Sequence, residues 1–187
     1  MITTPEKQPG GRAPAPGDLA LVQAFVNSNY SLGEHDHGAE LLSSPDALSA
    51  WLAKRKLIGR RDAPRSEKDL QEALKVREGL RALLVAKRAE PDADKIARLN
   101  DIAPHRSITV RLRPDGPEFQ SDDPLGLILA LTAKAMLDGT WTRLKACKEC
   151  SWAFYDHSKN GAGSWCSMKV CGGRVKQRAY YARSTGG

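Results

Sequence analysis

The sequence has no run of about 18 uninterrupted apolar residues, so no segment reads as a membrane span. A secretory leader is also missing: residues 1–17 (MITTPEKQPGGRAPAPG) carry charges and prolines where an apolar stretch and a small-residue cleavage site would stand. A cytoplasmic location is the expectation. No cysteine precedes position 147, and no internal repeat, Walker sequence, nucleophile elbow or recognisable carboxylate pair occurs. Gly161-Ala162-Gly163 is too short for a phosphate loop and lacks a strand-turn-helix setting. The chain is therefore not expected to be an enzyme.

What remains is informative. A length of 187 residues suits one compact domain with a small satellite, and 41% apolar with 27% charged residues is ordinary for a soluble globular protein. The formal charge of +7 is unevenly placed. From Trp141 to Gly187 there are nine basic residues (Arg143, Lys145, Lys148, Lys159, Lys169, Arg174, Lys176, Arg178, Arg183) against Glu149 and Asp156. The first 140 residues hold twenty of each sign. Such an excess is either the footprint of a polyanion-binding element or a solubilising tail.

Residues 1–17 read as a disordered leader, being rich in Pro and Gly without an apolar period. Leu19, Val22, Phe25 and Val26 recur at helical spacing, though so short a segment also suits a strand. Residues 30–45 read as a loop. Ser44 then caps a helix with Pro45 in its first position and Leu48, Trp51 and Leu52 on one face. The clearest helix runs from about Ser66 to Lys87, with Ser66 and Asp69 as a capping box and an apolar face of Leu70, Leu74, Leu80, Leu83 and Leu84. Another starts at Pro91-Asp92 and carries Ile96, Leu99 and Ile102. Ile108, Val110 and Leu112 alternate with polar residues as in a strand, and Pro114-Asp115-Gly116 turns the chain toward a second strand near Phe119. An apolar helix over Pro124 to Leu137 (Leu125, Ile128, Leu129, Leu131, Met136), stopped by Gly139, belongs in the core.

The four cysteines are spaced C-x2-C-x15-C-x4-C, at Cys147, Cys150, Cys166 and Cys171. In a reducing compartment, clustered cysteines are metal ligands more often than disulfides. Two residues between the first pair let a tight turn aim both sulfurs at one point, and the longer spacer lets the chain return with the second pair. Four thiolates fill the tetrahedron of one Zn²⁺ and leave no open position, so the metal is expected to be structural. Lys145, Lys148 and Lys169 are candidates to offset its negative charge. Trp152, Phe154 and Trp165 are expected to build the small core that so short a module needs; the role of Tyr155 stays open.

After Cys171 the chain reads CGGRVKQRAYYAR, a helix by propensity once past the glycines. At about 100° per residue, Val175, Ala179 and Ala182 form a narrow stripe suited to packing on the zinc core. Arg174, Arg178 and Tyr181 fall on one flank, and Lys169, Lys176, Tyr180 and Arg183 on the other. This surface is either a solvated face or a phosphate-binding one in which Arg can also read guanine edges.

Trp-Cys-Ser-Met-x-x-Cys-Gly-x-Arg (Trp165 to Arg174), preceded by C-x2-C and Phe154-Tyr155-Asp156 and followed by Lys176, Arg178 and Tyr180, resembles the CGNR zinc-finger family. Members of that family are proposed bacterial transcriptional regulators whose N-terminal part, the ABATE domain, is proposed to be stress-related. The LALVQAFVNS segment (Leu19 to Ser28) extends the resemblance toward the N-terminus. It implies that Cys147, Cys150, Cys166 and Cys171 hold zinc and that Arg174 is the motif arginine. Gly173 stands where the family has Asn, so any hydrogen bond of that side chain to a helix end or to DNA is missing.

The expected architecture is α+β and mainly helical: a leader over 1–17, a helical domain with one hairpin over 18–140, and a four-cysteine zinc module over 141–187, treble-clef or ribbon-like, followed by a helix. The expected function is DNA binding through Arg174, Lys176, Arg178, Arg183, Lys169 and Tyr181, the N-terminal domain sensing or associating. The alternative is a zinc module that is structural or binds protein, with a small-molecule ligand in the N-terminal domain; RNA is a third partner class. A homodimer and a small-molecule effector are both open. Glu34-His35-Asp36-His37 reads as a surface loop, His105 as a loop residue, and His157 as exposed and surplus to the ligand set.

Overall fold

A computed structural model describes residues 8–30, 39–58, 66–87 and 89–184. Its described part is mainly helical with three short antiparallel hairpins: α1 (Leu19–Val26), β1 (Asn29–Tyr30), β2 (Ala39–Glu40), α2 (Pro45–Lys54), α3 (Glu67–Val85), α4 (Ala93–Ile102), β3 (Thr109–Arg113), β4 (Gly116–Gln120), α5 (Pro124–Leu137), β5 (Leu144–Ala146), β6 (Ala153–Tyr155) and α6 (Gly173–Ser184). The α+β, mainly helical class is as expected. His35 and His37 lie outside the described residues.

Local capping chemistry sets the helix starts. Ser44 Oγ accepts from the Ala47 amide with Pro45 in the first helical position, and Ser66 and Asp69 form the reciprocal box before α3. Asp123 caps α5 at the amides of Leu125 and Gly126, and Gly139, left-handed at φ 79°, ends it. α1 is buried along its whole length and α5 over Leu125 to Thr132, and the two form the centre, covered by α2 and α3. Close approach of α3 and α4 depends on Gly79, where a Cβ would stand 2.6 Å from Leu99 Cβ.

The 19–26 segment, read at helical spacing with a strand as the alternative, is a helix. Two features differ from the sequence reading. The β3–β4 hairpin forms with Phe119 on β4, yet every β3 residue is exposed, Leu112 at 89%. Met136, placed on the core face of α5, is exposed, while its neighbour Ala135 is the residue of the last turn that faces the core.

The third strand pair, β5–β6, inserts into the main core rather than standing apart: Leu144, Ala146 and Ala153 belong to the same buried cluster as Phe25, Leu80 and Ile128. Polar side chains on α1, just after it, and on α3 receive it. The Asn27 amide bonds both the N–H and the C=O of Ala153, each at 2.8 Å, as a neighbouring strand would. Gln23 Nε2 donates to the same carbonyl at 3.0 Å, and Arg81 reaches the carbonyls of Val26, Asn29 and Ser151. Arg77, nearly buried on α3, forms a bidentate pair with Glu40 at 2.7 Å and so pins β2.

Residues 8–17, expected to be part of a disordered leader, form an ordered strap across the C-terminal module. The Gln8 side chain accepts from Trp152 Nε1 at 2.9 Å and from Gln23 Nε2 at 3.0 Å. Arg12 donates to the carbonyls of Cys166 (2.9 Å), Trp165 (3.3 Å) and Tyr155 (3.3 Å), with its guanidinium 4.8 Å from the Phe154 ring centre. Composition misleads here because the strap is held by polar side chains on main-chain acceptors, which leave no apolar period in the sequence.

Candidate metal centre

The β5–β6 turn places the first two cysteines. The Cys147 amide donates to the Trp152 carbonyl at 2.8 Å and the Ser151 amide to the Cys147 carbonyl at 3.0 Å, with Ser151 left-handed at φ 57°. The second pair flanks the start of a helix. Ser167 Oγ accepts from the amides of Lys169 (3.2 Å) and Val170 (3.4 Å), while the Gly172 amide donates back to the Ser167 carbonyl at 3.0 Å. That i to i+5 bond makes residues 168–172 a wide turn, which sets Cys171 beside Cys166 before α6 begins. One pair on a hairpin tip and one at a helix start is the treble-clef alternative.

The four Sγ atoms lie within 4.8 Å of one another. Three of the separations are 3.7 Å (Cys150 to Cys166), 3.6 Å (Cys166 to Cys171) and 3.5 Å (Cys150 to Cys171). A tetrahedron with metal–sulfur bonds of about 2.3 Å has edges of about 3.8 Å, so the sulfurs stand at zinc spacing. All four cysteines are free, and a disulfide would need sulfurs about 2.05 Å apart.

Four sulfurs this close cannot ionise side by side without a cation. Hydrogen bonds from Cys150 and Cys166 hold the Cys147 thiol far below its usual range. The Cys150 thiol, bonded to Cys147, is pushed up to about 12, and Cys166 is driven higher by both neighbours. Burial raises Cys171. A divalent ion at the centre supplies the compensating charge, which is why this donor set fits Zn²⁺. Trp152, Phe154, Trp165, Val170 and Tyr30 enclose the sulfurs as a small core of their own, with the Tyr30 and Trp152 rings edge-on at 5.1 Å.

Residues 11–139 match the ABATE family model, described as a "putative stress-induced transcription regulator", and residues 143–184 match the CGNR zinc finger. The chain belongs to the ABATE family. A search of curated proteins finds no match. This ABATE protein binds one structural Zn²⁺ through Cys147, Cys150, Cys166 and Cys171.

Lys145, expected near the thiolates, instead donates to buried Asp156 at 2.8 Å and to the carbonyls of Gly161 and Gly163. Lys148 and Lys169 are exposed. Asp156 also accepts from the Ser158 hydroxyl and the amides of Ser158 and Gly163, so it folds the spacer that returns the chain to Cys166. Burial opposes its ionisation, but Lys145 and these donors outweigh burial and hold the carboxyl well below the usual range. A depressed carboxyl contributes stability that is complete above about pH 4 and is lost as the solution is acidified below it. Asp156→Asn should therefore cost about 2–3 kcal/mol at pH 7, with Lys145 left facing only carbonyls, and the gap from wild type should narrow at pH 3. Urea denaturation at the two pH values measures it; an equal gap at both would refute the assignment.

His157 is exposed, its Nε2 lying 3.0 Å from the Pro14 carbonyl, and His105 is exposed in a 3₁₀ turn. On α6, Lys176, Arg178, Tyr180, Tyr181 and Arg183 are exposed and Arg174 is half-buried. The stripe of Val175, Ala179 and Ala182 does not pack on the zinc core: α6 has no buried residue, and Ala179 and Ala182 are exposed. Cys171 and the wide turn fix the helix at its first residues, and beyond them the small side chains of this stripe find no surface to cover them. Gly173 has ordinary helical angles (φ −63°, ψ −46°), and Ser167 supplies the helix-end cap.

Proposed function

We propose that this protein is a transcription regulator that docks on duplex DNA through α6, with the helical N-terminal domain reading the signal or bringing chains together. The observation that carries the proposal is α6 itself: from Lys176 onward every described residue is exposed, and the helix bears Arg174, Lys176, Arg178 and Arg183 with no acidic residue. Zinc and the Ser167 cap hold the base of this helix firmly, so its cations meet a polyanion with little ordering cost. Membership of a family described as regulators supports the same reading. No helix among the described residues is long and apolar enough to cross a membrane.

Four phosphate contacts give a slope of log K against log salt of at most about −3.6, so affinity should fall by up to roughly a hundredfold between about 50 and 200 mM salt. Replacing Lys176 and Arg183 together by alanine should flatten the slope by about 1.8 and weaken binding uniformly across sequences. Fluorescence anisotropy on genomic duplex fragments, with an RNA duplex as competitor, measures this. Salt-independent binding, or an RNA preference, would overturn the reading.

A second reading has its own site. A cleft of about 600 Å³ lies between the β3–β4 hairpin and the end of α5, lined by Arg113, Glu118, Phe119, Lys134, Leu137 and others. It offers one apolar ring amid ion-paired charges, which suits a small polar effector of the N-terminal domain. Dimerisation would double the contacted DNA surface.

A further inference from the structure

Glu149 and Asp156 are the two acidic residues from position 141 onward. Asp156 is committed to Lys145 and its own loop. Glu149, between Cys147 and Cys150 on the hairpin tip, turns to α6, and its Oε1 accepts from Arg178 Nη2 at 2.5 Å. The side chains are 23% and 62% exposed.

An ion pair this open contributes little to stability. Nor does the base of α6 require it, since Cys171 and Ser167 already fix that end. What the pair does is set a carboxylate against a guanidinium on the second turn of a helix otherwise free of acid. A carboxylate offers guanidinium the same planar two-oxygen face as a backbone phosphate. Arg174 lies one turn earlier on the same flank, so a phosphate strand following that flank would meet both arginines and compete with the carboxylate for Arg178.

We propose that Glu149 is a built-in stand-in for phosphate: it holds Arg178 in the free protein and yields it to the DNA backbone on docking. The proposal rests on the reading of α6 as the docking helix. Exchange makes the Arg178 contact nearly neutral in energy until the other α6 cations are seated. Non-specific DNA is thereby held more weakly, and Glu149 sets the salt concentration at which binding begins. Freed Glu149 also takes up a cation, which offsets part of the counterion release at Arg178.

The test compares zinc-loaded full-length wild type, Glu149→Gln, Arg178→Ala and the double variant on one duplex. Zinc content and melting temperature serve as folding controls, because Gln keeps the shape of the side chain. Glu149→Gln should tighten binding about fivefold and steepen the salt slope by less than about 0.9. In the Arg178→Ala background the same change should do nothing. An equal gain in both backgrounds would mean general repulsion between Glu149 and DNA and would overturn the exchange, as would no gain in either. Failure of wild type and Glu149→Gln alike to bind nucleic acid at low salt would remove the α6 reading itself; binding indifferent to Glu149 removes the exchange alone.

Discussion

Cys166→Ser should reduce bound zinc from one ion per chain to a small fraction and destabilise the N-terminal domain along with the knuckle. Structural zinc contributes an apparent value of about 10–16 kcal/mol in small modules, which rivals the roughly 5–15 kcal/mol that holds a whole domain folded. In this protein the hairpin carrying Cys147 and Cys150 also supplies Leu144, Ala146 and Ala153 to the main core. Loss of the ion frees that hairpin to leave, and the cavity it opens lies in the main core. A melting temperature at least about 15 °C lower is expected, from about 2–4 °C per kcal/mol for a chain of this size. His157→Ala, at an exposed residue outside the ligand set, should keep both the zinc and the melting point. A Cys166→Ser variant with full zinc and an unchanged melting point would contradict the assignment.

Asn27→Ala should cost about 2–4 kcal/mol, although Asn27 is not a ligand and sits just after the first helix. Its amide is the lateral partner of Ala153, bonding both main-chain groups from a fully buried position. Removing it strands the Ala153 N–H away from water and leaves a small void, each worth about 1–3 kcal/mol. Gln23 continues to satisfy the Ala153 carbonyl, which limits the loss. The expected fall in melting temperature is on the order of 10 °C, still in one transition, because the stitch joins parts that unfold together. A change below about 1 °C, or separate melting of the zinc module, would show that the two parts are not coupled through this contact.

Both predictions depend on features that differ in how plainly the sequence announces them. The ligand spacing, the Ser66–Asp69 box, the Ser44-Pro45 start, the Gly139 stop and the Pro114-Asp115-Gly116 turn follow local rules that span only a few residues, and each holds in the fold. The strap at Gln8 and Arg12 does not announce itself, because all but one of the partners of these two side chains lie 143 to 154 residues away and most are main-chain carbonyls. Asn27 and Gln23 do leave a trace: a Gln inside the apolar run LALVQAFV, and an Asn just after it, must find partners if that helix is buried. Arg81 and Arg77 leave none, for an arginine on a long charged helix looks the same whether it faces water or a buried carbonyl. Periodicity misplaces α6 because it names an apolar stripe without saying whether a surface is near enough to cover it.

Four sulfurs meeting at one ion hold the C-terminal module together. X-ray absorption at the zinc edge, recorded on the purified full-length protein, tests that most directly. It should show four sulfur neighbours at about 2.3 Å and one zinc per chain. Fewer than four sulfurs, nitrogen or oxygen in their place, or protein that folds with no metal, would contradict it.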